Sequence, residues 1–302
     1  MNQTEEDRSQ VETNTVQNTA QGERAGTPAR NLAGHAGQGK HSAGAGFHRL
    51  AICQWCLKDQ SPDGVMRAGN LGYDGVAMDF GLWHPAYDLR REGMLAKYVN
   101  ALAESGLRVP SLAFNALPFG SPEEEKKAVK ILDRGIRAAA ILGADILMIP
   151  CFGASDLNNA EVYPRMTAFL QQACDAAARA GMTVAAENRL TAAKNRQLVE
   201  DVGKDNFRLY YDTANPSMMK FGDGEKMLAE LLPWICEIHV KDYRHVFRKD
   251  RSVPLGQGDG RALEQMLQLR QKGFAGWVVS ENSLPEKQQR KDAEILREIV
   301  NG

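Results

Sequence analysis

From residue 47 onward, short apolar runs alternate with longer segments whose apolar residues recur at helical spacing. The runs are rich in Val, Ile, Leu and Ala and are bounded by Gly, Pro or polar residues, the pattern of strands buried on both faces. They predict strands over residues 48–53, 72–79, 108–114, 144–150, 182–187, 207–211, 235–240 and 276–280. The periodic segments predict helices near 63–71, 89–105, 121–143, 159–180, 193–202, 225–232, 260–272 and 287–300. The third helix has the clearest boundaries. Ser121 is placed as N-cap, Pro122 opens the helix and Glu124 stands three residues after the cap. Val129, Leu132, Ile136 and Ala140 then share one face, and Gly143 ends it. Residues 241–257, between the seventh strand and the next helix, read as a long loop.

Eight strands alternating with eight helices predict an α/β fold of the (β/α)8 TIM barrel type. A doubly wound open sheet fits less well. No glycine-rich turn follows the first strand, and the polar strand ends are spread over strands five to eight.

Residues 1–46 are of a different kind. Asn, Gln, Thr, Ser, Glu, Gly and Ala dominate, and no segment could bury enough apolar area to offset its ordering entropy. The expectation is a disordered tail over 1–46, with His35 and His41 solvated in it, and a catalytic barrel over 47–302. The tail has neither an apolar signal-peptide core nor a twin arginine, which points to the cytoplasm.

A formal charge of -1 over 302 residues gives no electrostatic reason to expect nucleic acid or a membrane surface as partner. No apolar run reaches the roughly 18 residues that a spanning helix needs. Five cysteines, an odd number, do not suggest a disulfide framework. Cys53-Gln54-Trp55-Cys56 has CxxC spacing, but it lacks the second pair that a zinc site needs and sits at a strand end rather than in a thioredoxin-like setting. It reads as a pair of structural or substrate-lining cysteines.

Strands five to eight end in residues able to bind a metal: Glu187, Asp212, His239 and Glu281. Their intervals are 25, 27 and 42 residues, close to or above the roughly 30 of one βα unit. All four would therefore sit at the C-terminal mouth of the barrel, on consecutive strands, where such barrels place their chemistry. Taken singly, each could be a helix cap, a surface carboxylate or a core histidine; four coincident placements favour a site. A carboxylate-rich set with one imidazole and no thiolate suits one divalent ion, Mn2+ first, with Mg2+, Co2+ or Zn2+ as alternatives.

His239-Val240-Lys241-Asp242, followed by Pro254-Leu255-Gly256-Gln257-Gly258, resembles a motif pair of the xylose isomerase-like barrel superfamily. Asp212-Thr213-Ala214-Asn215 is similar to its D-x-G-N motif, and Val184–Asn188 and Val278–Glu281 to its two glutamate strands. The resemblance is strongest to ketose and sugar-phosphate 3-epimerases such as those acting on L-ribulose 5-phosphate. It is specific over about residues 180–285. Three departures bear on substrate identity: Ala214 replaces the motif glycine, Ala77 stands where many members carry glutamate, and Arg189 lies just beyond the first glutamate, where some members carry histidine.

The resemblance implies that Glu187, Asp212, His239 and Glu281 hold the metal, with Glu187 and Glu281 also the acid/base pair. The expected reaction is proton abstraction beside a ketose carbonyl through a metal-stabilised enediolate, giving epimerisation or isomerisation of a sugar or sugar phosphate. Asn188, Asn215 and Lys241 are candidate contacts to hydroxyls or the developing oxyanion. Trp83, His84, Phe114 and Asn115 are candidate pocket walls. Arg251, with Arg244, His245 and Arg248, is a candidate phosphate clamp. A metal-dependent lyase or dehydratase on an inosose or oxidised sugar is the alternative. An apurinic endonuclease is disfavoured because its histidine-rich three-metal set is missing. The family also implies a homodimer or homotetramer.

Overall fold

The computed structural model describes residues 49–246 and 249–301. The expected polar tail over 1–46 lies outside the described residues, as do His48, the first residue of the expected first strand, and Arg248.

Eight parallel strands close into a barrel: β1 (Leu50–Cys53), β2 (Gly75–Asp79), β3 (Ser111–Ala113), β4 (Ile146–Pro150), β5 (Thr183–Glu187), β6 (Phe207–Asp212), β7 (Ile235–Val240) and β10 (Trp277–Ser280). The order around the wall is β1-β10-β7-β6-β5-β4-β3-β2. The strands are largely apolar because both of their faces are covered. Outward residues pack beneath the helices in one large core that includes Leu147, Ile149, Val184, Leu209 and Ile238. Inward residues form a separate small cluster of Ala113, Ile146, Met148, Ala185 and Tyr210. Strand side chains alternate, so the positions two residues beyond Ala185 and Tyr210 also point inward, at the mouth. Those positions are Glu187 and Asp212.

The third helix, α3 in chain order, is as expected. It spans Pro122–Leu142, the Ser121 side chain accepts from Glu124 N, and Gly143 closes it at φ 72°. Other boundaries shift for local reasons. The first helix, α1, is a short turn, Pro62–Met66, continued by a 3-10 segment, Arg67–Leu71. The second, α2, starts at Met94 rather than near residue 89, because the Asp88 carboxylate holds Arg90 through both its backbone N–H and its guanidinium. The fourth, α4 (Val162–Ala178), starts after two side-chain turns in which Asp156 accepts from Asn158 N and Asn159 accepts from Glu161 N.

The expected long loop over 241–257 is corrected. Most of it is an antiparallel ribbon, β8 (Asp242–Val246) with β9 (Lys249–Val253), standing off the barrel mouth. No helix among the described residues is long and apolar enough to cross a membrane.

Candidate metal centre

The four strand-tip residues converge. One ligand atom each from Glu187, Asp212, His239 and Glu281 can be chosen so that all lie within 4.8 Å of one another. His239 is fully buried, and Glu187 and Asp212 are nearly so. The imidazole Nδ1 faces the carboxylates, 3.4 Å from Glu187 Oε1 and 3.6 Å from Glu281 Oε2. Register explains the convergence: Asp212 pairs with His239 across β6 and β7, and Val279, two residues before Glu281, pairs with His239 across β10 and β7.

Each ligand is oriented by a neighbour. Asp212 Oδ1 accepts from the backbone N–H groups of Ala214 and Asn215, both at 2.8 Å. Asn215 Nδ2 donates to Glu187 Oε1 at 3.1 Å. Trp55 Nε1 donates to Glu281 Oε1 at 2.9 Å, and Lys241 Nζ donates to Glu281 Oε2 at 2.6 Å. The Lys241 ammonium also sits 2.9 Å from Asp212 Oδ2, an ion-pair distance, but no directed hydrogen bond reaches that oxygen. Behind the imidazole, His239 Nε2 lies 3.3 Å from Cys53 Sγ, and the Tyr210 ring packs at 4.4 Å.

Three carboxylates, two buried and Glu281 half-buried, against one ammonium and one imidazole leave the cluster short of positive charge. Burial, reinforced by Glu281 and Glu187 and opposed by Lys241, pushes Asp212 up to about 6. Burial would lower His239, but Glu281 and Glu187 outweigh it and raise the imidazole to about 9. Burial would raise Glu281, but Lys241 and His239 bring it down to about 2. An under-neutralised set of oxygen donors with one imidazole, and an Asp212 oxygen lacking a directed partner, fits a hard divalent cation.

The motif pair around Asp242 forms a hub beside this centre. The buried Asp242 carboxylate accepts from the backbone N–H groups of Gly256 at 3.1 Å, Gly258 at 3.0 Å and Gly260 at 3.0 Å. Glycine is required at 258, where a Cβ would lie 2.1 Å from Asp242 Oδ1 and 2.4 Å from the Tyr243 carbonyl oxygen. Reciprocal bonds between Thr213 and the Lys241 backbone tie the turn after β6 to the strand that presents Lys241.

The other expected substrate contacts scatter. Asn188 is occupied by its own turn: its Oδ1 accepts from Leu190 N and its Nδ2 donates to Asn195 Oδ1. Trp83 is 60% exposed, edge-on to Trp55 with ring centres 6.4 Å apart. His84 stacks on Tyr87. Phe114 faces outward into the helix-covered core, so it is not a pocket wall. Asn115 is buried next to Asp79; its amide nitrogen and Asp79 Oδ1 both lack a hydrogen-bond partner, although Asn115 is close enough to pull the Asp79 pKa down. Burial dominates and holds Asp79 up at about 6. Arg251 is exposed on the ribbon, directly across from Arg244.

Trp55 and Glu237 are the contributors that sequence reasoning missed, and Cys53, read as structural or substrate-lining, lies against the imidazole. Glu237 lies two residues below His239 inside the barrel, where Ser111 Oγ and Tyr210 OH both donate to it and burial raises it to about 7. The available signal was alternation: Glu237 shares the inward face of its strand with His239.

Comparison with known proteins agrees with this architecture. The chain is 34% identical over 199 residues to 2-epi-5-epi-valiolone 7-phosphate 2-epimerase of Actinoplanes sp., covering 64% of this chain and 72% of that protein. It is 29% identical over 227 residues to L-ribulose-5-phosphate 3-epimerase of Shigella flexneri, covering 69% and 77%. In three dimensions it superposes on a xylose isomerase-like TIM barrel protein of Mycobacterium smegmatis, solved in complex with magnesium. The TM-score is 0.68 at 16% identity, over 86% of this chain and 98% of that one. The expectation of an isomerase-class enzyme stands with these relatives. Residues 65–299 match the family described as Xylose isomerase-like TIM barrel, and the chain belongs to it.

Proposed function

We propose that the protein is a divalent-metal-dependent epimerase of a ketose or ketose phosphate, acting by proton exchange at a carbon next to the carbonyl. The observation that carries this reading is the placement of the two glutamates. Glu187 ends β5 and Glu281 follows β10, with β6 and β7 between them on the wall, and both approach the same imidazole nitrogen at 3.4 and 3.6 Å. A substrate seated between them has one carboxylate on each side. One removes the proton and the other returns one to the opposite face, which inverts the centre.

A bound divalent ion, held by Glu187, Asp212, His239 and Glu281, would polarise the substrate carbonyl as a Lewis acid. Mn2+ comes first for this donor set, then Mg2+, Co2+ and Zn2+. Asn215 fixes Glu187, and Trp55 and Lys241 fix Glu281, so neither carboxylate must reorganise before it acts. Lys241 also places a positive charge where a sugar oxygen gains negative charge. Trp55 and Trp83 offer apolar edges to the sugar ring. The phosphate in the names of both sequence relatives supports a phosphorylated substrate for this chain.

The test is to load the protein with Mn2+ and incubate it in D2O with a panel of ketoses and ketose phosphates. The expected result is solvent deuterium at the inverted carbon of one substrate. No deuterium in any of them would defeat the proposal, and deuterium accompanied by loss of water would replace epimerisation with dehydration.

A further inference from the structure

We propose that Cys53, His239 and Glu281 form a second cation site, for a thiophilic divalent ion of the Zn2+ and Cd2+ class, overlapping the oxygen-rich site and exclusive with it. The two cysteines of the CxxC motif have no part in the proposed epimerisation chemistry, yet the first of them reaches the centre. Cys53 ends β1, is fully buried, and lies 3.3 Å from His239 Nε2, on the opposite edge of the ring from Nδ1. Ligand atoms of Cys53, His239 and Glu281 all lie within 4.8 Å of one another. A tetrahedral ion with metal–sulfur and metal–nitrogen bonds of about 2.3 and 2.0 Å sets its sulfur and nitrogen ligands about 3.5 Å apart. The observed separation is close to that edge.

The remaining neighbours leave Cys53 as the sulfur donor. Cys56 Sγ accepts from Ser283 Oγ at 3.3 Å and neighbours Cys53, but it is not among the ligand atoms that gather with His239 and Glu281. Adding one thiolate to an imidazole and a carboxylate changes the preference of the site from hard to soft ions. Binding replaces the Cys53 S–H bond and the His239 Nε2–H bond with bonds to the metal, and both protons leave to the buffer. No electron transfer is involved. A neutral imidazole that ligates through Nε2 carries its proton on Nδ1, so an ion in the second site takes both His239 and Glu281 from the first. A thiophilic ion is then an inhibitor of the proposed reaction.

The exclusivity clause rests on the proposed metal-dependent function; the sulfur ligation does not. The experiment titrates the metal-stripped full chain with Cd2+ and follows the thiolate-to-cadmium charge-transfer absorption in the ultraviolet. Bound Mn2+ is measured in parallel by electron paramagnetic resonance. The expected result is a band that saturates at one Cd2+ per chain, is lost in Cys53→Ser and in Cys53→Ala, and persists in Cys56→Ser. In the wild type, each Cd2+ should release one Mn2+. Mn2+ binding by the Cys53 variants shows that they are folded. A titration without the band, or a band that survives both Cys53 substitutions, overturns the second site whatever Mn2+ does. Failure of the wild type to bind Mn2+ overturns the oxygen-rich site and leaves the cadmium band to decide the other.

Discussion

Trp55 is the side chain whose role most exceeds what its position in the sequence suggests. Its indole donates 2.9 Å to Glu281 Oε1, a hydrogen bond to an ionised acceptor, which contributes about 1.5–3 kcal/mol. Trp55→Phe keeps the ring and removes the donor. The expected outcome is a loss of about 10- to 100-fold in kcat/KM, with KM moving little, measured by steady-state kinetics on the ketose that exchanges deuterium. His239 yields a second prediction. In the cation-free protein it is held protonated up to about 9, whereas a metal ligand must be neutral. Between pH 6.5 and 8.5, Mn2+ binding should therefore release about one proton, and log affinity should rise with pH at a slope of about one. Below about 6, where Asp212 is protonated as well, the slope should steepen towards about two. Calorimetry in buffers of different ionisation enthalpy counts the protons; binding without proton release at pH 7.5 would remove His239 from the ligand set. The four tips were readable from sequence because each ends an apolar run and no core position calls for a charge there. Trp55 was not, and Cys53 stayed open between structural and substrate-lining, since an aromatic and a thiol beside an apolar strand look the same whether they line a core or a site.

At the scale of the element, the ribbon after β7 shows what pattern reading cannot reach. Its residues are mostly charged and exposed, from Arg244 and His245 to Lys249, Asp250 and Arg251. Beyond Tyr243 the ribbon has no buried face, so there is no period of two to detect. Its anchor could be read as a motif but not as a mechanism. The sequence paired His239-Val240-Lys241-Asp242 with Pro254-Leu255-Gly256-Gln257-Gly258; the structure shows one carboxylate gathering three glycine N–H groups. Asp242→Ala leaves those donors without an acceptor at a buried position and should cost about 3–5 kcal/mol, less than the sum of separate bonds because such effects are not additive. Gly258→Ala should be of similar severity, since its Cβ would meet Asp242 Oδ1 at 2.1 Å. Denaturant titration gives the loss, and hydrogen exchange locates it. Protection should fall first over β8, β9 and residues 254–260 while β3 to β5 keep theirs; a uniform loss would mean that Asp242 supports the whole barrel rather than this element.

Over the whole molecule, the candidate metal centre would set function against stability. A closed barrel has no free sheet edge, so its wall does not depend on the mouth for pairing. The mouth nevertheless gathers the buried Glu187 and Asp212 with the half-buried Glu281, a repulsion that only a cation resolves fully. The shifted pKa values give the sign. Asp212 is raised to about 6, so without metal its ionisation costs stability as pH rises through that value. His239 is raised to about 9, so its contribution is complete below about 6.5 and is lost as pH rises through 9. Glu281 is lowered to about 2, so its contribution is present above about 4.5 and is lost only as pH falls towards 2. From these three groups the metal-free protein should be most stable near about pH 4–4.5, weaken to about pH 6 as Asp212 ionises, and weaken further to about pH 9 as His239 loses its proton. Metal affinity rises over that same range, so the stabilisation by Mn2+ should grow with pH. At a free concentration of 100 times Kd the ion contributes about 2.7 kcal/mol, which for a domain of this size raises Tm by about 5–10 °C. Thermal unfolding at pH 6 and pH 8.5, at one fixed Mn2+ concentration and with a chelator, measures the effect; the shift should be clearly larger at pH 8.5. Asp212→Asn keeps the Oδ1 acceptor for Ala214 and Asn215 but removes the charge. That variant should lose the Mn2+ shift and, without metal, melt at or above the wild-type temperature at pH 8.5. A variant that melted lower would show that the crowded carboxylates stabilise the barrel, contrary to the repulsion inferred from their burial.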